Sequence, residues 1–283
     1  MGLVVALLRV TDPRPTVDAL SGAVRTDDRS ATLSDQDAAA LEQALRAGEA
    51  LGLPVLAVAA GGPEVEPVLR EALALGCAVR RVPLPAGAGT DVFVDEQALA
   101  TALVAAIGGQ APTLVVCGDR SADRGTGAVP AFVAAALGVA QALGLVALQV
   151  TGAAVQGERR LDGGRREMLD IALPAVVSVE AAGVRLRRSG MAAAVAAAAA
   201  DLPVTAPAEQ HQAVQVLRVR PHTPRTRLIP PPVAGPPRVR LLELTGALVA
   251  HDPPTIVGPV DAVQAADVLL EFLARHGYLG QPG

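Results

Sequence analysis

Aromatic side chains are nearly absent from this sequence of 283 residues, which contains no tryptophan, one tyrosine and three phenylalanines. Apolar residues nevertheless make up 51% of the chain. The core must therefore be built from alanine, valine and leucine, a composition that suits buried parallel strands flanked by helices. The length allows one large domain, or one domain with an appendage.

Residues that commonly hold metals or act as nucleophiles are also few. The two cysteines, Cys77 and Cys117, lie far apart and form no CxxC motif, which argues against a disulfide framework or a zinc site. The four histidines show no spacing typical of metal ligands, and the sequence suggests no Ser–His–Asp or Cys–His arrangement. We therefore expect neither a metal site nor a catalytic nucleophile.

Strong positive charge and long apolar runs are missing as well. The formal net charge is −4, so no basic field favours nucleic acid. The run Met191–Ala200 is far too short to span a membrane, and the N-terminal MGLVVALLRV lacks the basic region of a signal peptide. These features predict a soluble cytoplasmic protein that neither binds nucleic acid nor inserts into a membrane.

Short apolar runs alternate with helical segments through the first half of the chain. The spacing predicts four strands and four helices: strands at Leu3–Leu8, Val55–Ala59, Val79–Val82 and Thr113–Cys117, and helices after Ser34, after Gly62, at Asp95–Ile107 and at Thr126–Leu137. This alternation predicts an α/β fold, a doubly wound and mostly parallel sheet between two helical layers. In such sheets ligands bind at the carboxyl ends of the strands.

One stretch lies where such a ligand would bind. The segment VVCGDRSADRGTGAVP (115–130) runs from an apolar strand through a polar loop with glycines into an alanine-rich helix. The N-terminus of a helix can bind phosphate through free N–H groups, and Arg120 and Arg124 offer charge-assisted contacts. The same pattern suits a plain connection between strand and helix, so both interpretations stand at this point.

The pattern changes in the second half of the chain. After Gly144 we predict strands joined by turns, with a hairpin turn at Asp162-Gly163-Gly164 and a further strand in AVVSVE (175–180). From Asp201 onward prolines become dense. This change divides the chain into an α/β domain (1–200) and an extended C-terminal arm (201–283).

The arm ends in a predicted amphipathic helix, Asp261–His276. Its apolar stripe consists of Val263, Ala266, Leu269, Leu270 and Leu273. The stripe either packs back on its own domain or binds a partner subunit.

Four segments, in the right order, resemble the β subunit of the electron transfer flavoproteins. They are LVVALLRV (3–10) with SDQDAAALEQALR (34–46), VLAVAAGGPEVEPVLREALALGC (55–77), LDGGRREMLDIALPAVVSVE (161–180) and AHDPPTIVGPVDAVQAADVLLEFL (250–273). The third segment is the most specific match. Together the four are distributed over most of the length of the chain.

The resemblance implies an adenine-nucleotide-binding, flavodoxin/HUP-like domain that forms one half of a heterodimer. The α subunit would hold most of the redox-active FAD, while this subunit would bind AMP and wrap the α subunit with its arm. Electrons would pass from a dehydrogenase donor to the FAD and on to a quinone reductase or another acceptor. Such a subunit positions a cofactor and is not an enzyme on its own.

Carried over residue by residue, the resemblance also implies a nucleotide site. Ala6, at the end of the first strand, would lie against the adenine, and the start of the first helix would offer backbone groups. The loop after Cys117 would bind the phosphate, with Thr126 and Gly127 at the helix start. The implied cofactor-binding residues are Ala6, Ser34, Asp35, Gln36, Asp37, Ala60, Gly118, Asp119, Arg120, Ser121, Ala122, Asp123, Arg124, Gly125 and Thr126.

This sequence departs from the family pattern in that loop. The loop is about three residues shorter than the resemblance leads us to expect. Its usual acidic and polar run is reduced to Arg124-Gly125. AMP, a second FAD, another adenosine nucleotide and an empty site are therefore all open. A second FAD, typical of bifurcating members, ranks below AMP.

Two further departures concern the flavin and the partners. Arg160 stands where the family often has a glutamate near the flavin, and a cation there changes the field around FAD. The segment RRSGMAAAVAAAAADLPV (187–204) replaces the family's docking loop for the dehydrogenase and lacks its lysines. By position Met191 becomes the partner-docking residue, although a methionine in an alanine run also suits a core.

Two other functions compete with the electron carrier. One is an adenine-nucleotide-binding regulator of the universal-stress type, and the other is an enzyme that cleaves or transfers adenylate. Neither needs a long proline-rich arm that ends in an amphipathic helix. The sequence also shows no HxGH-like or SGGxDS-like loop, which an adenylate enzyme usually has.

Overall fold

The computed structural model describes residues 2–83, 96–205, 235–247 and 256–279. The chain divides into two compact units, Met1–His222 and Thr223–Gly283. The first unit begins with β1 (Val4–Leu8), β2 (Val10–Thr11), β3 (Thr16–Val17), β4 (Val24–Arg25), β5 (Thr32–Leu33), α1 (Asp35–Leu51), β6 (Val55–Ala60), α2 (Glu66–Ala74) and β7 (Ala78–Val82). It continues with α3 (Glu96–Ile107), β8 (Leu114–Gly118), α4 (Val129–Leu137), β9 (Ala140–Thr151), β10 (Ala154–Arg160), β11 (Arg166–Asp170), β12 (Ala175–Val179) and α5 (Met191–Ala198).

Eight strands form one mostly parallel sheet in the order β11-β10-β9-β12-β8-β1-β6-β7. Every pair from β9 to β7 is parallel, whereas β10 pairs antiparallel with both β9 and β11. The predicted hairpin turn at Asp162-Gly163-Gly164 is confirmed as the connection between β10 and β11. The predicted strand in AVVSVE is β12, which pairs with β8 and β9.

Helices cover both faces of this sheet, so the predicted three-layer α/β fold is confirmed. Because side chains alternate along a strand, Val4, Ala6 and Leu8 pack on the face that carries α1 and α2. The intervening residues of β1 pack on the opposite face with α3 and α4. The core contains small aliphatic side chains, as the scarcity of aromatics predicts.

The start of α4 was predicted wrongly. The helix begins at Val129, three residues after the predicted Thr126. The Ser121 N–H donates to the Thr126 carbonyl at 2.8 Å, and Gly125 has a φ of +67°, so the chain is still turning there. Helical geometry starts only where Pro130, with its fixed φ, enters the first turn.

The second unit contains α6 (Pro237–Leu244) and α7 (Ala262–Arg275). The predicted terminal helix is confirmed as α7, and the Asp261 carboxylate caps it by accepting from the N–H groups of Val263 and Gln264. The stripe residues Val263, Leu269 and Leu270 are exposed. The dense proline segment and the Asp252-Pro253-Pro254 turn lie largely outside the described residues, and the division after residue 200 stays a prediction.

Candidate nucleotide-binding site

A pocket opens at the carboxyl ends of β1 and β8. The strand order reverses there, because the chain runs outward from β1 through β6 and β7 and then returns to place β8 on the other side of β1. Open α/β sheets bind ligands at such a reversal. The pocket is lined by Leu7, Leu8, Arg9, Asp37, Ala60, Glu96, Leu99, Leu103, Cys117, Gly118, Arg120, Ser121, Arg124, Thr126, Gly127, Val129 and Pro130.

The start of α1 provides one wall of the pocket. The Asp37 N–H donates to Ser34 Oγ at 3.1 Å, and the Ser34 hydroxyl donates to Asp37 Oδ2 at 2.6 Å. Asp37 Oδ1 accepts a third hydrogen bond, from the backbone N–H of Arg9, at 3.1 Å. The capping side chains of α1 thus join this helix to the end of β1.

Asp37 is a buried carboxyl group, with 3% of its surface exposed. Burial raises the pKa of Asp37 to about 6, even though hydrogen bonds from Ser34 and Arg9 act in the opposite direction. The neighbouring Asp123 carboxylate raises the pKa further. The wall therefore carries a partly protonated acid near pH 6.

The Arg9 side chain crosses to the loop that follows β8. Its Nη2 lies 2.5 Å from Asp123 Oδ2, and each of the two side chains is 24% exposed. Arg124 also approaches this carboxylate, at 3.8 Å. Burial would raise the pKa of Asp123, but the bond from Arg9 outweighs it and holds this pKa below its usual value. An ionised acid therefore anchors Arg9 at the pocket.

Two glycines allow the loop to pack this closely. A Cβ on Gly127 would lie 2.4 Å from the Asp119 carbonyl oxygen, and a Cβ on Gly118 would lie 3.2 Å from Asp37 Oδ1. Backbone cannot yield as a flexible side chain does. The loop is therefore a tight cradle in which glycine is needed at position 127.

Asp119 lies at the base of this loop. Its N–H donates to the Val179 carbonyl at 3.0 Å, which ties the loop to β12. Its Oδ1 atom is buried and accepts no hydrogen bond from any described residue. Burial raises the pKa of Asp119, opposed by the charge of Arg120. A buried polar atom of this kind is costly unless a ligand or water satisfies it.

The structure brings together only part of the predicted site. The predicted residues that line the pocket are Asp37, Ala60, Gly118, Arg120, Ser121, Arg124 and Thr126. Ser34, Asp35, Gln36, Asp119, Ala122, Asp123 and Gly125 belong to the same helix start and loop without lining it.

The predicted position of Ala6 was wrong. It is not the end of the first strand, since β1 continues to Leu8, and its side chain is fully buried against the helical layer. Arg9 and Glu96 line the pocket but were missed. A charged residue directly after a buried strand is the signal that identifies Arg9 from sequence.

The residues present fit an adenine mononucleotide. The pocket lining includes the apolar side chains of Leu99, Leu103 and Val129 as well as arginines from the strand end and from a loop too tight for a Cβ. An apolar slot with a few fixed polar groups suits a planar base joined to an anion. Since Arg9 and Arg124 already contact Asp123, a bound phosphate would have to share them with this carboxylate.

The remaining predicted residues lie elsewhere. Met191 opens α5 with 80% of its surface exposed, and Val195 on the next turn is 64% exposed, so Met191 is not a core residue. Arg160 pairs with Glu180 at 2.9 Å. Cys117 is buried, and this burial raises its thiol pKa, so it is poorly suited to act as a nucleophile.

Comparison with known proteins identifies the family of this chain. The model of the electron transfer flavoprotein domain matches residues 22–216. The chain belongs to the electron transfer flavoprotein family. Within this family it is 27% identical over 216 residues to the electron transfer flavoprotein subunit beta of Syntrophomonas wolfei, covering 76% of this chain and 83% of that protein.

Two further curated relatives are similar to the chain. Protein FixA of Azorhizobium caulinodans is 33% identical over 213 residues, which cover 72% of this chain and 74% of that protein. The electron transfer flavoprotein subunit beta of Mycobacterium tuberculosis is 35% identical over 156 residues, which cover 53% and 57%. The chain is a divergent member of the β-subunit branch.

In the described part of the chain, no helix is long and apolar enough to cross a membrane. The same residues contain no group of three or more metal-binding side chains.

Proposed function

We propose that this chain is the β subunit of a heterodimeric electron transfer flavoprotein and that its pocket binds AMP or another adenine nucleotide. The observation that carries the proposal is the position of this pocket at the strand reversal of an electron transfer flavoprotein fold. The nucleotide would be structural, since the pocket offers anchoring groups and a buried thiol rather than an activated nucleophile.

FAD, held mainly by the α subunit, supplies the electron transfer when it is bound, from a dehydrogenase to a quinone reductase or another acceptor. The residues of this chain would hold and orient the cofactor rather than react themselves. Arg160 places a cation at the end of β10, and Glu180 at 2.9 Å offsets part of its charge. Any field that Arg160 exerts on the flavin is therefore weaker than that of an unpaired arginine.

The α subunit is proposed to bind α7. The apolar side chains of this helix, among them Val263, Leu269 and Leu270, are exposed, and such a stripe is unstable in water without a covering surface. The Asp261 carboxylate caps α7 and so fixes the residue at which this helix begins.

The dehydrogenase is proposed to dock on α5. This helix, MAAAVAAA, carries no charge and exposes Met191 and Val195 on one side. The whole chain contains no lysine. Because α5 itself carries no charge, docking on this helix would depend on apolar contact, for which an adaptable methionine is well suited.

Release of bound nucleotides tests the site. The chain would be co-expressed with its α subunit, the purified complex denatured, and the released compounds separated by chromatography. We expect an adenine nucleotide in addition to FAD. A complex that releases FAD but no other adenine nucleotide would disprove the proposed pocket ligand and leave the electron carrier role standing.

A further inference from the structure

The contact between Arg9 and Asp123 connects a side chain that lines the candidate pocket to the loop after β8. Arg9 follows β1 and lines the pocket, whereas Asp123 belongs to the loop after β8 and does not. Their side chains meet at 2.5 Å across 114 residues of sequence. The ion pair therefore joins the two strand ends between which a nucleotide would bind.

Arg9 is held firmly enough to act as a selective group. Its backbone N–H donates to Asp37, and its strand lies at the centre of the sheet between β8 and β6. Arg120, by contrast, is exposed. Among the three arginines at the pocket, Arg9 is the one that extends from a central buried strand.

A carboxylate and a phosphate are alternative partners of one guanidinium, since both accept from its planar N–H groups. We propose that Arg9 selects a phosphate-bearing nucleotide, by exchanging the Asp123 carboxylate for the phosphate, and that Asp123 holds Arg9 in place until then. This proposal rests on the proposed nucleotide site. It assigns the discrimination between AMP and adenosine to a residue that the family resemblance does not indicate.

If this exchange occurs, two substitutions should change the affinity for AMP in opposite directions. In Arg9→Met the phosphate loses a cation, whereas in Asp123→Asn it loses a competing anion and Arg9 becomes free to contact it. The double variant R9M/D123N also removes the carboxylate that loses its Arg9 partner in R9M. It therefore separates loss of the ligand contact from loss of stability.

A matched ion pair outside the pocket provides the control. Arg29 and Asp27 lie 3.1 Å apart, and their side chains are 91% and 46% exposed. The variants R29M and D27N remove the same charges from the chain without touching the pocket. They correct for any effect of net charge on the binding of an anion.

The experiment is a calorimetric titration of the full-length chain, purified in its co-expressed complex and stripped of nucleotide, with AMP and separately with adenosine. We expect R9M to bind AMP about tenfold or more weakly, because a hydrogen bond between charged groups is lost. D123N should bind AMP several-fold more tightly, and R9M/D123N about as weakly as R9M. Adenosine affinity and both control variants should remain at the wild-type values.

Equal AMP affinity of wild type and R9M overturns the inference, as does D123N that binds no more tightly. Absence of AMP binding in all variants overturns it too. The flavin content of the same preparations reports separately on the proposed function. A flavin-containing complex with unchanged AMP binding in R9M leaves that function intact.

Discussion

Asp37 combines three roles in one side chain. It caps α1 together with Ser34, accepts the Arg9 N–H and lines the pocket. The sequence reveals the first role, because acidic residues favour the positive end of a helix. Burial of the carboxyl group could not be predicted, since it depends on β1, which is distant in sequence.

Stability should depend on pH through Asp37. Its pKa is raised by burial from 3.8 to about 6, so its contribution to stability is complete below pH 3.8 and is lost as the pH rises through about 6. Relative to Asp37→Asn, the wild type should lose ~3 kcal/mol of unfolding free energy between about pH 4 and pH 7. Denaturant unfolding of the purified complex at a series of pH values measures this difference.

Asp35→Asn is the matched control, because Asp35 occupies the same first turn but is exposed. Its pH profile should follow the wild type. Parallel profiles for wild type and D37N would contradict the account.

Gly127 should tolerate no side chain. In Gly127→Ala the new Cβ would meet the Asp119 carbonyl oxygen at 2.4 Å, so the loop must shift at a cost of about 1–3 kcal/mol. Gly190→Ala is the comparison, since nothing lies within 4 Å of a Cβ there and its φ is −71°. Thermal unfolding should show a lower Tm for G127A than for G190A, and equal values would argue against the tight cradle.

At the scale of elements, the alternation of apolar runs with helical segments predicted the central strands to within one residue at each end. These strands are continuous apolar runs because helices cover both of their faces. The prediction of where α4 starts was wrong for a different reason. Threonine and glycine at 126 and 127 look like a helix start, but the hydrogen bond between Ser121 and Thr126 keeps them in the loop.

The role of Arg70 could not be predicted from the sequence, because its hydrogen-bond partners lie far along the chain. From α2, its Nη1 donates to the carbonyls of Ala197, Ala198 and Ala200 at 2.9, 3.1 and 2.6 Å. Carbonyls at the end of a helix have few partners within it, so a side-chain donor stabilises this end of α5. The Arg70 side chain thus ties the end of the proposed docking helix to α2.

Arg70→Met should therefore loosen α5. A charged donor is worth about 1.5–3 kcal/mol, so amide hydrogens of α5 should exchange roughly ten or more times faster. Arg46→Met, which removes the pair with Glu42 on α1, should leave α5 exchange unchanged. Mass-spectrometric hydrogen exchange resolves the two, and equal protection of α5 in wild type and R70M would show that Arg70 does not anchor it.

At the scale of the whole molecule, the sequence allowed the α/β class and the family to be predicted, but only half of the site. Positions such as Asp37 and Thr126 line the pocket because strand ends converge there, which the alternation of elements predicts. Ala6 does not, since its position in β1 directs its side chain into the core. The apolar stripe of α7 follows from its periodicity, whereas its exposure could not be predicted from the sequence.

Leu270→Glu should weaken assembly with the α subunit. Leu270 is 51% exposed, so a charge there costs the unit itself little but would be buried unpaired in the proposed interface. Gln264→Glu, on the polar side of the same helix, is the control. Co-purification of tagged α subunit should recover much less L270E than Q264E, and equal recovery would exclude the apolar stripe as the contact.

The central claim is that this chain forms one half of a flavoprotein. The most direct measurement is the visible absorption spectrum of the chain purified alone and after co-expression with its α subunit. We predict a colourless chain alone and a yellow complex that contains both chains and FAD. A stable, colourless chain that associates with no α subunit would contradict the account.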